Sequence, residues 1–299
     1  MTTREKHNLR RGLAFCGLWF IGFGVFTAYP VLASLYYSFC DYSVLQHPLW
    51  TGLDNYRQMT TDVVFWISLK NTLVYAALSL PLGMIVSLSL ALLLNTEVRG
   101  MPVFRTIFYL PSIVPTVAAA MLWLWIFNGQ FGILNWALRP ILGLFGVVPP
   151  TWLADPAWAK PALALMSLWG VGNSMVIYLS GLQNVPQELY EAAEIDGANW
   201  WQRIWHMTLP MISPVIYFNL IMGIIGTLQT FTTVFVMTGT ADGNPARSTL
   251  LYALYLFSTA FYDLRMGYAS AMAWMLFMLI VALTLLATRL TEKRIHYAG

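Results

Sequence analysis

Carboxylate side chains are concentrated in one short segment of this chain. Glu188, Glu191, Glu194 and Asp196 supply four of its thirteen acidic residues within nine positions. Carboxylates at such a density can transfer protons, hold a cation or form ion pairs with basic groups of another protein. The rest of the sequence has to decide between these uses.

Motifs for catalysis are missing from the sequence. No lysine follows a glycine, so there is no phosphate-binding loop of the GK[ST] kind, and there is no GxSxG motif or aspartate-rich pair. The four histidines, His7, His47, His206 and His296, are too scattered for a HExxH zinc site. We therefore expect no enzyme activity, no catalytic residue, no bound metal and no cofactor in this chain.

Composition places the chain in a membrane. It has 299 residues, of which 58% are hydrophobic and 10% charged, with a mean hydropathy of +0.63. Six runs without Asp, Glu, Lys or Arg are each long enough to cross a bilayer as a helix, which takes about 20 residues. The sequence thus predicts an all-α integral membrane protein with six transmembrane helices, at roughly 13–39, 71–95, 106–127, 162–183, 212–236 and 267–288.

Basic residues predict the orientation of these helices. With the N-terminus inside, ten of the sixteen Lys and Arg residues fall in the shorter inner segments, as the positive-inside rule requires. The predicted organisation is a cytoplasmic N-terminal segment (1–12), a membrane domain (13–288) and a cytoplasmic C-terminal tail (289–299). The apolar run after Arg11 is too long for a signal peptide, so the first helix is expected to be retained. The net charge of +3 is modest, and no nucleic-acid partner is expected.

Two outer loops have features of their own. The apolar stretch from Ile133 to Leu144 is too short to span and predicts an interfacial or re-entrant helix. Trp136, Trp152 and Trp158 are expected at the depth of the lipid headgroups. The third outer loop, 237–266, is rich in turn-forming residues and is expected to be flexible.

The acidic segment itself predicts a short amphipathic helix over 186–197. Pro186 suits the first helical position, Glu188 lies in the first turn, and Gly197 can end the helix in a left-handed conformation. Leu189, Ala192 and Ala193 fall on one face, and Glu188, Glu191 and Glu194 on another. In the following residues, Trp200, Trp201 and Trp205 beside Arg203 suit a stretch lying along the membrane surface.

Two interpretations of this helix remain open on the pattern alone. It could be an ordinary loop helix with a solvated charged face. Its fixed position between two spans, and the low surface that its two alanines create, favour a helix that docks into a groove of another protein.

One resemblance to a known family favours the docking interpretation. "YEAAEIDGA" followed by "IWHMTLPMISP" resembles the EAA loop of permease subunits in binding-protein-dependent ATP-binding-cassette (ABC) importers. Met207 stands where the family usually has isoleucine, and Ile204 where phenylalanine is common. The residues in register with the family pattern are Glu191, Ala192, Ala193, Gly197, Leu209 and Pro210.

The resemblance extends to the sugar-importer branch. "YLPSIVPTVAAAMLWLWIFN" (109–128), "LWGVGNSMVIYLSGLQNVPQELYEAA" (168–193) and "GYASAMAWMLF" (267–277) are similar to the first of two permeases in maltose-, glycerol-3-phosphate- or multiple-sugar-type systems. Against the maltose permease, we expect neither its large outer domain, since the first outer loop has only about thirty residues, nor its two additional N-terminal spans.

Several expectations follow from the resemblance alone. It implies the type I ABC importer permease fold, with a cytoplasmic coupling loop (186–210), in the bacterial inner membrane with both termini in the cytoplasm. It implies that a second homologous permease completes the pore, that two ATPase subunits carry the ATP and magnesium, and that an extracytoplasmic solute-binding protein delivers the substrate. The implied ATPase-coupling residues are Glu188, Leu189, Glu191, Ala192, Ala193, Asp196, Gly197, Arg203, Leu209 and Pro210.

Small and polar residues in the fourth and fifth spans are candidates for a substrate path. In the fifth span, Asn219, Gly223, Gly226, Thr227 and Thr230 recur at the spacing of one helical face. Such a stripe more often serves close helix packing, but it could also line a path for sugar hydroxyl groups. The resemblance to the maltose permease favours the path. The fourth span adds Trp169, Gly170 and Asn173.

Three alternatives stay open on the sequence. The chain could be an unpowered channel or facilitator, an ABC permease for a solute that is not a sugar, or an inactive permease that only recruits partners.

Overall fold

Helices form most of the computed structural model, which describes residues 3–96 and 98–291. Two short strands, β1 and β2, pair antiparallel with Cys40 opposite Trp50 and Asp41 opposite Leu49. The helices and strands of the described residues are α1 (Thr3–Phe23), α2 (Tyr29–Tyr37), β1 (Cys40–Asp41), β2 (Leu49–Trp50), α3 (Asp54–Thr61), α4 (Val63–Leu94), α5 (Met101–Tyr109), α6 (Thr116–Ile126), α7 (Ile133–Gly143), α8 (Pro156–Trp169), α9 (Gly172–Gln183), α10 (Gln187–Ile195), α11 (Trp200–Arg203), α12 (Leu209–Met211), α13 (Ser213–Leu228), α14 (Thr232–Thr238), α15 (Tyr252–Phe257) and α16 (Met266–Thr291).

Six membrane crossings are consistent with the lengths of these helices. Three stretches, Arg11–Tyr37, Val63–Leu94 and Met266–Thr291, are long and apolar enough to cross a bilayer. Three bent pairs of helices meet the same criterion if each pair is one crossing. The predicted helical membrane fold is confirmed, and six spans fit it if each bent pair is one crossing.

The third, fourth and fifth spans, predicted over 106–127, 162–183 and 212–236, are bent pairs of helices, and the fifth pair ends at Leu228 instead of at 236. The third bends by 96° after Ile113, the fourth by 50° after Trp169 and the fifth by 69° after Met211. In the third, Val114 is extended (φ −65°, ψ 130°), because the residue before Pro115 is sterically excluded from the α conformation. In the fifth, Pro214 has no N–H to donate to the carbonyl four residues earlier, and the helix is interrupted at Ile212.

Two other prolines are accommodated by wider turns. The π turns Gly24–Ala28 and Ile204–Thr208 each end two residues before a proline, Pro30 and Pro210 respectively. A π turn shifts the hydrogen-bond register by one residue, which relieves the loss of the proline N–H. The first span thus continues to Tyr37 as two helices joined by a π turn.

The chain divides into two compact units, of which the first comprises Met1–Asp62 and Leu256–Phe277. The Asn55 amide donates to the Ser38 and Cys40 carbonyls at 3.0 and 2.9 Å, which fixes the start of the small sheet. The Tyr268 hydroxyl donates to the Asp62 carboxylate at 2.7 Å. A Cβ atom at Gly267 would collide with the Cys40 carbonyl, so only glycine permits this approach of α16 to β1.

The second unit comprises Val63–Tyr255 and Met278–Gly299 and is organised around α4. Helices α8, α9 and α13 all pack against α4. Its buried face carries small and polar residues at helical spacing, among them Ser68, Thr72, Ser79, Ser87 and Ala91. This is the pattern that membrane helices use where they pack closely, since apolar side chains gain little by leaving lipid.

The second outer loop contains the predicted short helix, α7, at Ile133–Gly143. Trp152 of this loop packs inside the protein, and its expected depth at the lipid headgroups stays a prediction. Its side chain is only 7% exposed, and its indole N–H donates to Asn135 Oδ1 at 2.7 Å. A buried indole needs such an acceptor, and Asn135 provides it because its amide is itself held by the Gly129 and Pro150 carbonyls. Trp136 and Trp158 are exposed.

The third outer loop is turn-rich, as predicted, but it is also anchored. Asn71 on α4 donates to the Arg247 and Leu250 carbonyls at 2.8 and 3.2 Å. The Lys160 ammonium on α8 donates to Asn71 Oδ1 at 3.2 Å and to the Ser248 carbonyl at 3.1 Å. The part of the loop at 247–250 is therefore fixed to α4 and α8 instead of flexible.

The chain ends only partly match the predicted boundaries. Helix α16 continues to Thr291, so the first three residues of the predicted tail 289–299 are helical. Residues 292–299 of that tail, and residues 1 and 2 of the predicted segment 1–12, lie outside the described residues.

Replacing Asn135 by alanine tests the anchoring of Trp152. The substitution leaves a buried indole N–H without an acceptor, which costs about 1–3 kcal/mol of unfolding free energy. We expect a lower thermal unfolding midpoint for Asn135→Ala in detergent, measured by light scattering, which does not depend on tryptophan fluorescence. Gln130→Ala, at an exposed side chain of the same loop, is the control and should leave the midpoint unchanged. Equal midpoints for the two variants would contradict the anchoring role.

Candidate functional site

Helix α10 carries three of the four residues of the acidic cluster, and all of its residues except Tyr190 and Ala193 are exposed. None of its residues is buried, and Ile195 is 87% exposed. Glu188 lies in the first turn, as predicted. Pro186 was predicted at the first helical position, but it is the N-cap residue, with an extended ψ of 130°, and α10 begins one residue later at Gln187. A helix with three exposed carboxylates and an exposed isoleucine presents both charge and apolar surface to a partner.

The end of α10 is fixed by its backbone. Gly197 has a φ of +78°, in the left-handed region that the sequence predicted. Its N–H donates to the Glu194 carbonyl at 3.0 Å, and the Ala198 N–H donates to the Ala193 carbonyl at 2.9 Å. These two bonds form a Schellman motif. The Asp196 side chain makes no hydrogen bond to any described residue, so the turn is held by the backbone.

The segment after Gly197 is tied back to α10. Asn199 and Gln202 form a capping box, in which each side chain accepts from the backbone N–H of the other at 2.8–2.9 Å. The Tyr190 and Thr208 hydroxyl oxygens lie 3.1 Å apart. Sequence reasoning missed these residues, although the Asn-x-x-Gln pattern is a readable signal.

Arg203 makes a further contact with α10. Its guanidinium is 3.5 Å from the Glu194 carboxylate, so it pairs within the chain. Leu209 and Pro210 begin α12, and Leu209 packs against the cluster that contains Met175 and Ile212. The predicted coupling residues thus share one locally ordered segment, in which the residues from Glu188 to Gly197 are mostly exposed and Leu209 and Pro210 are half-buried.

A cleft of about 260 Å³ lies between α4, α8, α9 and α13. Four of the predicted path residues line it: Gly170, Asn219, Gly223 and Thr227. The complete lining is Ser79, Leu80, Gly83, Met84, Ser87, Ser167, Gly170, Val171, Ser174, Tyr178, Asn219, Met222, Gly223 and Thr227. The sequence analysis missed the serines of α4, because the mean hydropathy of a long apolar run does not show that one face of the helix is polar.

The other predicted path residues lie elsewhere. Trp169 lines a neighbouring cleft of about 240 Å³, which shares Ser167 and Gly170 with the first. Asn173 and Gly226 are exposed and do not line either cleft. The single-face stripe ending at Thr230 is wrong, because α13 ends at Leu228 and Thr230 lies in the break before α14.

Gly223 also serves helix packing. A Cβ atom at this position would collide with Leu80 of α4. A Cβ atom at Gly181 of α9 would lie 2.9 Å from the Val215 side chain of α13. Both helix pairs therefore approach closely at a glycine, as the packing interpretation of the small residues requires.

The polar groups of the cleft are oriented by their own helices. The hydroxyls of Ser79, Ser87 and Thr227 donate to carbonyls four residues earlier at 2.7–2.8 Å. The Asn219 amide donates to the Val215 carbonyl at 3.0 Å, which leaves its Oδ1 free. Each group thereby keeps an acceptor for a ligand. Among the described residues that line the cleft, none is charged.

Comparison with known proteins identifies the family. Residues 79–297 match the family model described as "Binding-protein-dependent transport system inner membrane component". The chain belongs to this family. It is 42% identical over 295 residues to the probable ABC transporter permease YesP of Bacillus subtilis, covering 98% of this chain and 94% of that one. It is 34% identical over 302 residues to the lactose transport permease LacF of Rhizobium radiobacter, covering 98% of this chain and all of that one.

A solved structure supports the fold of this permease. A chain from the crystal structure of a bacterial alginate ABC transporter, in complex with an alginate pentasaccharide-bound periplasmic protein, superposes with a TM-score of 0.81. The two chains are 24% identical, and the match covers 96% of each. The predicted ABC importer permease fold is confirmed, and the chain is a membrane-embedded transport permease. The roles of the individual coupling and path residues stay predictions.

Substitution of Gly197 tests the end of the permease helix α10. A side chain in the left-handed region costs about 1–2 kcal/mol, so Gly197→Val should fray the last turn. Hydrogen–deuterium exchange, followed by mass spectrometry, should then be faster in the peptide 187–198. Gly197→Asn is the matched control, because asparagine tolerates this conformation and should exchange close to the wild type. Identical exchange in the two variants would show that backbone conformation is not the constraint.

Proposed function

We propose that this permease forms one half of the pathway of an ATP-driven sugar importer, with a second, homologous permease as the other half. Two ATPase subunits would bind at the cytoplasmic coupling loops, and an extracytoplasmic binding protein would deliver the sugar. In this proposal the chain lies in the bacterial inner membrane with both termini in the cytoplasm. It needs no cofactor of its own, since ATP and magnesium belong to the ATPase subunits.

The observation that carries the proposal is the connection between α10 and the cleft. Helix α9 supplies Ser174 and Tyr178 to the cleft wall and ends at Gln183. Only three residues, 184–186, separate it from α10. A rigid, exposed helix joined so tightly to a cleft wall can pass a displacement from a partner to the cleft. Glu191, exposed on α10, is the proposed ionic contact with a basic residue of the ATPase.

A sugar is the proposed substrate on chemical grounds. The cleft offers hydroxyl and amide oxygens as acceptors, which match the O–H donors of a sugar. The relative from Rhizobium radiobacter is named as a lactose permease, and the solved structure contains an alginate pentasaccharide on its periplasmic protein. These neighbours support a saccharide over other solutes.

The first test is retention of the ATPase. Glu191→Gln removes the proposed ionic contact, and Gly197→Val disturbs the helix that presents it. We expect the amount of ATPase that co-purifies with the tagged permease to fall at least about tenfold for Glu191→Gln, as for loss of a buried charge pair. Asp242→Asn, at an exposed acidic residue of the third outer loop, is the matched control. Uptake that persists without any ATPase would establish an unpowered channel instead.

The second test is obstruction of the cleft. Ser174 is half-buried on α9 and lines the cleft, so Ser174→Phe should fill part of its volume. We expect sugar uptake by the complete transporter to fall about tenfold or more while ATPase retention is unchanged. Ser180→Phe places the same ring at an exposed position of the same helix, outside the cleft lining. Equal uptake by the two variants would remove the cleft from the substrate path.

A further inference from the structure

Two clefts lie side by side along α4, and one tyrosine stands where they meet. The first cleft, of about 260 Å³, and the neighbouring cleft, of about 240 Å³, share Ser167 and Gly170 of α8. Tyr75 of α4 lines the neighbouring cleft, and Ser79, one turn further along the same face of the helix, lines the first. Helix α4 thus passes from one cleft to the other between these two residues.

The side chain of Tyr75 reaches across this boundary. Tyr75 is only 5% exposed, and it belongs to the larger apolar cluster of the second unit. Its hydroxyl interacts with the hydroxyls of Thr230, Ser79 and Ser167. Ser79 and Ser167 line the first cleft, whereas Tyr75 itself lines the neighbouring one. The tyrosine therefore lies between the two clefts.

The hydrogen bonds around Tyr75 make this contact easy to break. The hydroxyls of Ser79, Ser167 and Thr230 each donate to a backbone carbonyl three or four residues earlier, at 2.8, 2.6 and 3.2 Å respectively. They therefore face Tyr75 as acceptors for its single proton. If Tyr75 moves away, all three keep their bonds to the backbone. Only the tyrosine then needs a new partner, which a hydroxyl group of a passing sugar can provide.

Thr230 connects this contact to a break between two helices. It lies within residues 229–231, which separate α13 from α14. Helix α13 supplies Thr227 to the wall of the first cleft, and α14 supplies Thr233 to the wall of the neighbouring one. A change of angle at this break would move both walls and draw Thr230 away from Tyr75.

We propose that Tyr75 closes a single sugar path at the boundary between its two parts, the neighbouring cleft and the first cleft. The ring blocks the passage while the three hydroxyls hold the tyrosine, and a change of angle at 229–231 releases it. With the N-terminus in the cytoplasm, α4 runs inward, so the neighbouring cleft is the outer part of the path. The direction of the path and the sugar are those of the proposed function, on which this closure rests.

Thiol labelling of the complete transporter in spheroplasts tests the closure. Cys16 and Cys40 are first replaced by serine. Ser174→Cys then reports on the first cleft, and Thr233→Cys on the neighbouring one. The membrane-impermeant reagent methanethiosulfonate-ethyltrimethylammonium is added outside, and mass spectrometry follows the rate at which this chain gains the label. We expect fast labelling at position 233 and slow labelling at position 174.

Two substitutions of Tyr75 should open the passage to different extents. Tyr75→Phe keeps the ring and removes the hydroxyl, so labelling at position 174 should become about fivefold faster, as for the loss of one hydrogen bond. Tyr75→Ala also removes the ring and should make it at least about tenfold faster. Tyr252→Ala, at a fully buried tyrosine of α15 that lines neither cleft, is the matched control and should leave the rate unchanged.

Three outcomes would overturn the closure. The first is fast labelling at position 174 while Tyr75 is intact. The second is an unchanged rate in Tyr75→Phe and Tyr75→Ala, and Tyr75→Phe decides alone if the alanine variant does not fold. The third is an equal rise in Tyr252→Ala, which would assign the effect to loosened packing. Labelling needs neither ATP nor sugar, so its result is independent of whether an ATPase co-purifies, and the proposed function is tested separately.

Discussion

In a bilayer, apolar side chains gain little by moving from lipid to protein, so helices associate where their backbones can approach closely. The second unit meets this condition at three glycines. A Cβ atom at Gly223 would collide with Leu80, one at Gly181 would lie 2.9 Å from Val215, and one at Gly172 would lie 3.0 Å from the backbone at Phe108 and Tyr109. These contacts hold α13 against α4, α9 against α13 and α9 against α5. Without them, the cleft would have no fixed walls and α10 no fixed starting point.

Breaks in the helices are as important as their packing. The bend between α8 and α9 brings Gly170 and Ser174 to one cleft, and the short connection after α9 leads directly into α10. The bend at Ile212 separates the segment that is tied to α10 from α13, which lines the opposite wall. Each part of the proposed mechanism therefore belongs to a short rigid helix, and the chain changes direction only at a few defined residues.

The sequence predicts the class of this fold well, for a simple physical reason. Hydrocarbon excludes charge, so uncharged runs identify the spans, and the glycine at 197 identifies the end of α10 because few other residues adopt its conformation. Hydropathy carries no such information about which face of a span is buried. The serines of α4 were missed for this reason, and Thr230 was wrongly placed on the face of a helix that ends before it.

Side-chain environment within a loop is equally hard to predict from residue type. Trp136 and Trp152 lie in one loop, yet the first is exposed and the second is buried, with its indole N–H donating to Asn135 Oδ1. The difference depends on contacts between residues that are fifteen or more positions apart, such as Asn135 with Pro150. The bends had a readable signal, since prolines at 115 and 214 accompany two of them, but their angles are set by tertiary packing.

The hydrogen bonds of the cleft hydroxyls determine whether these groups can relay protons. A proton moves along a chain of hydroxyl groups only if each can donate forward and accept from behind. Ser79, Ser87 and Thr227 instead commit their protons to backbone carbonyls, and no carboxyl, imidazole or amine is present among the described cleft residues. These three hydroxyl groups therefore cannot pass a proton along the wall of the cleft without first breaking a hydrogen bond to the backbone.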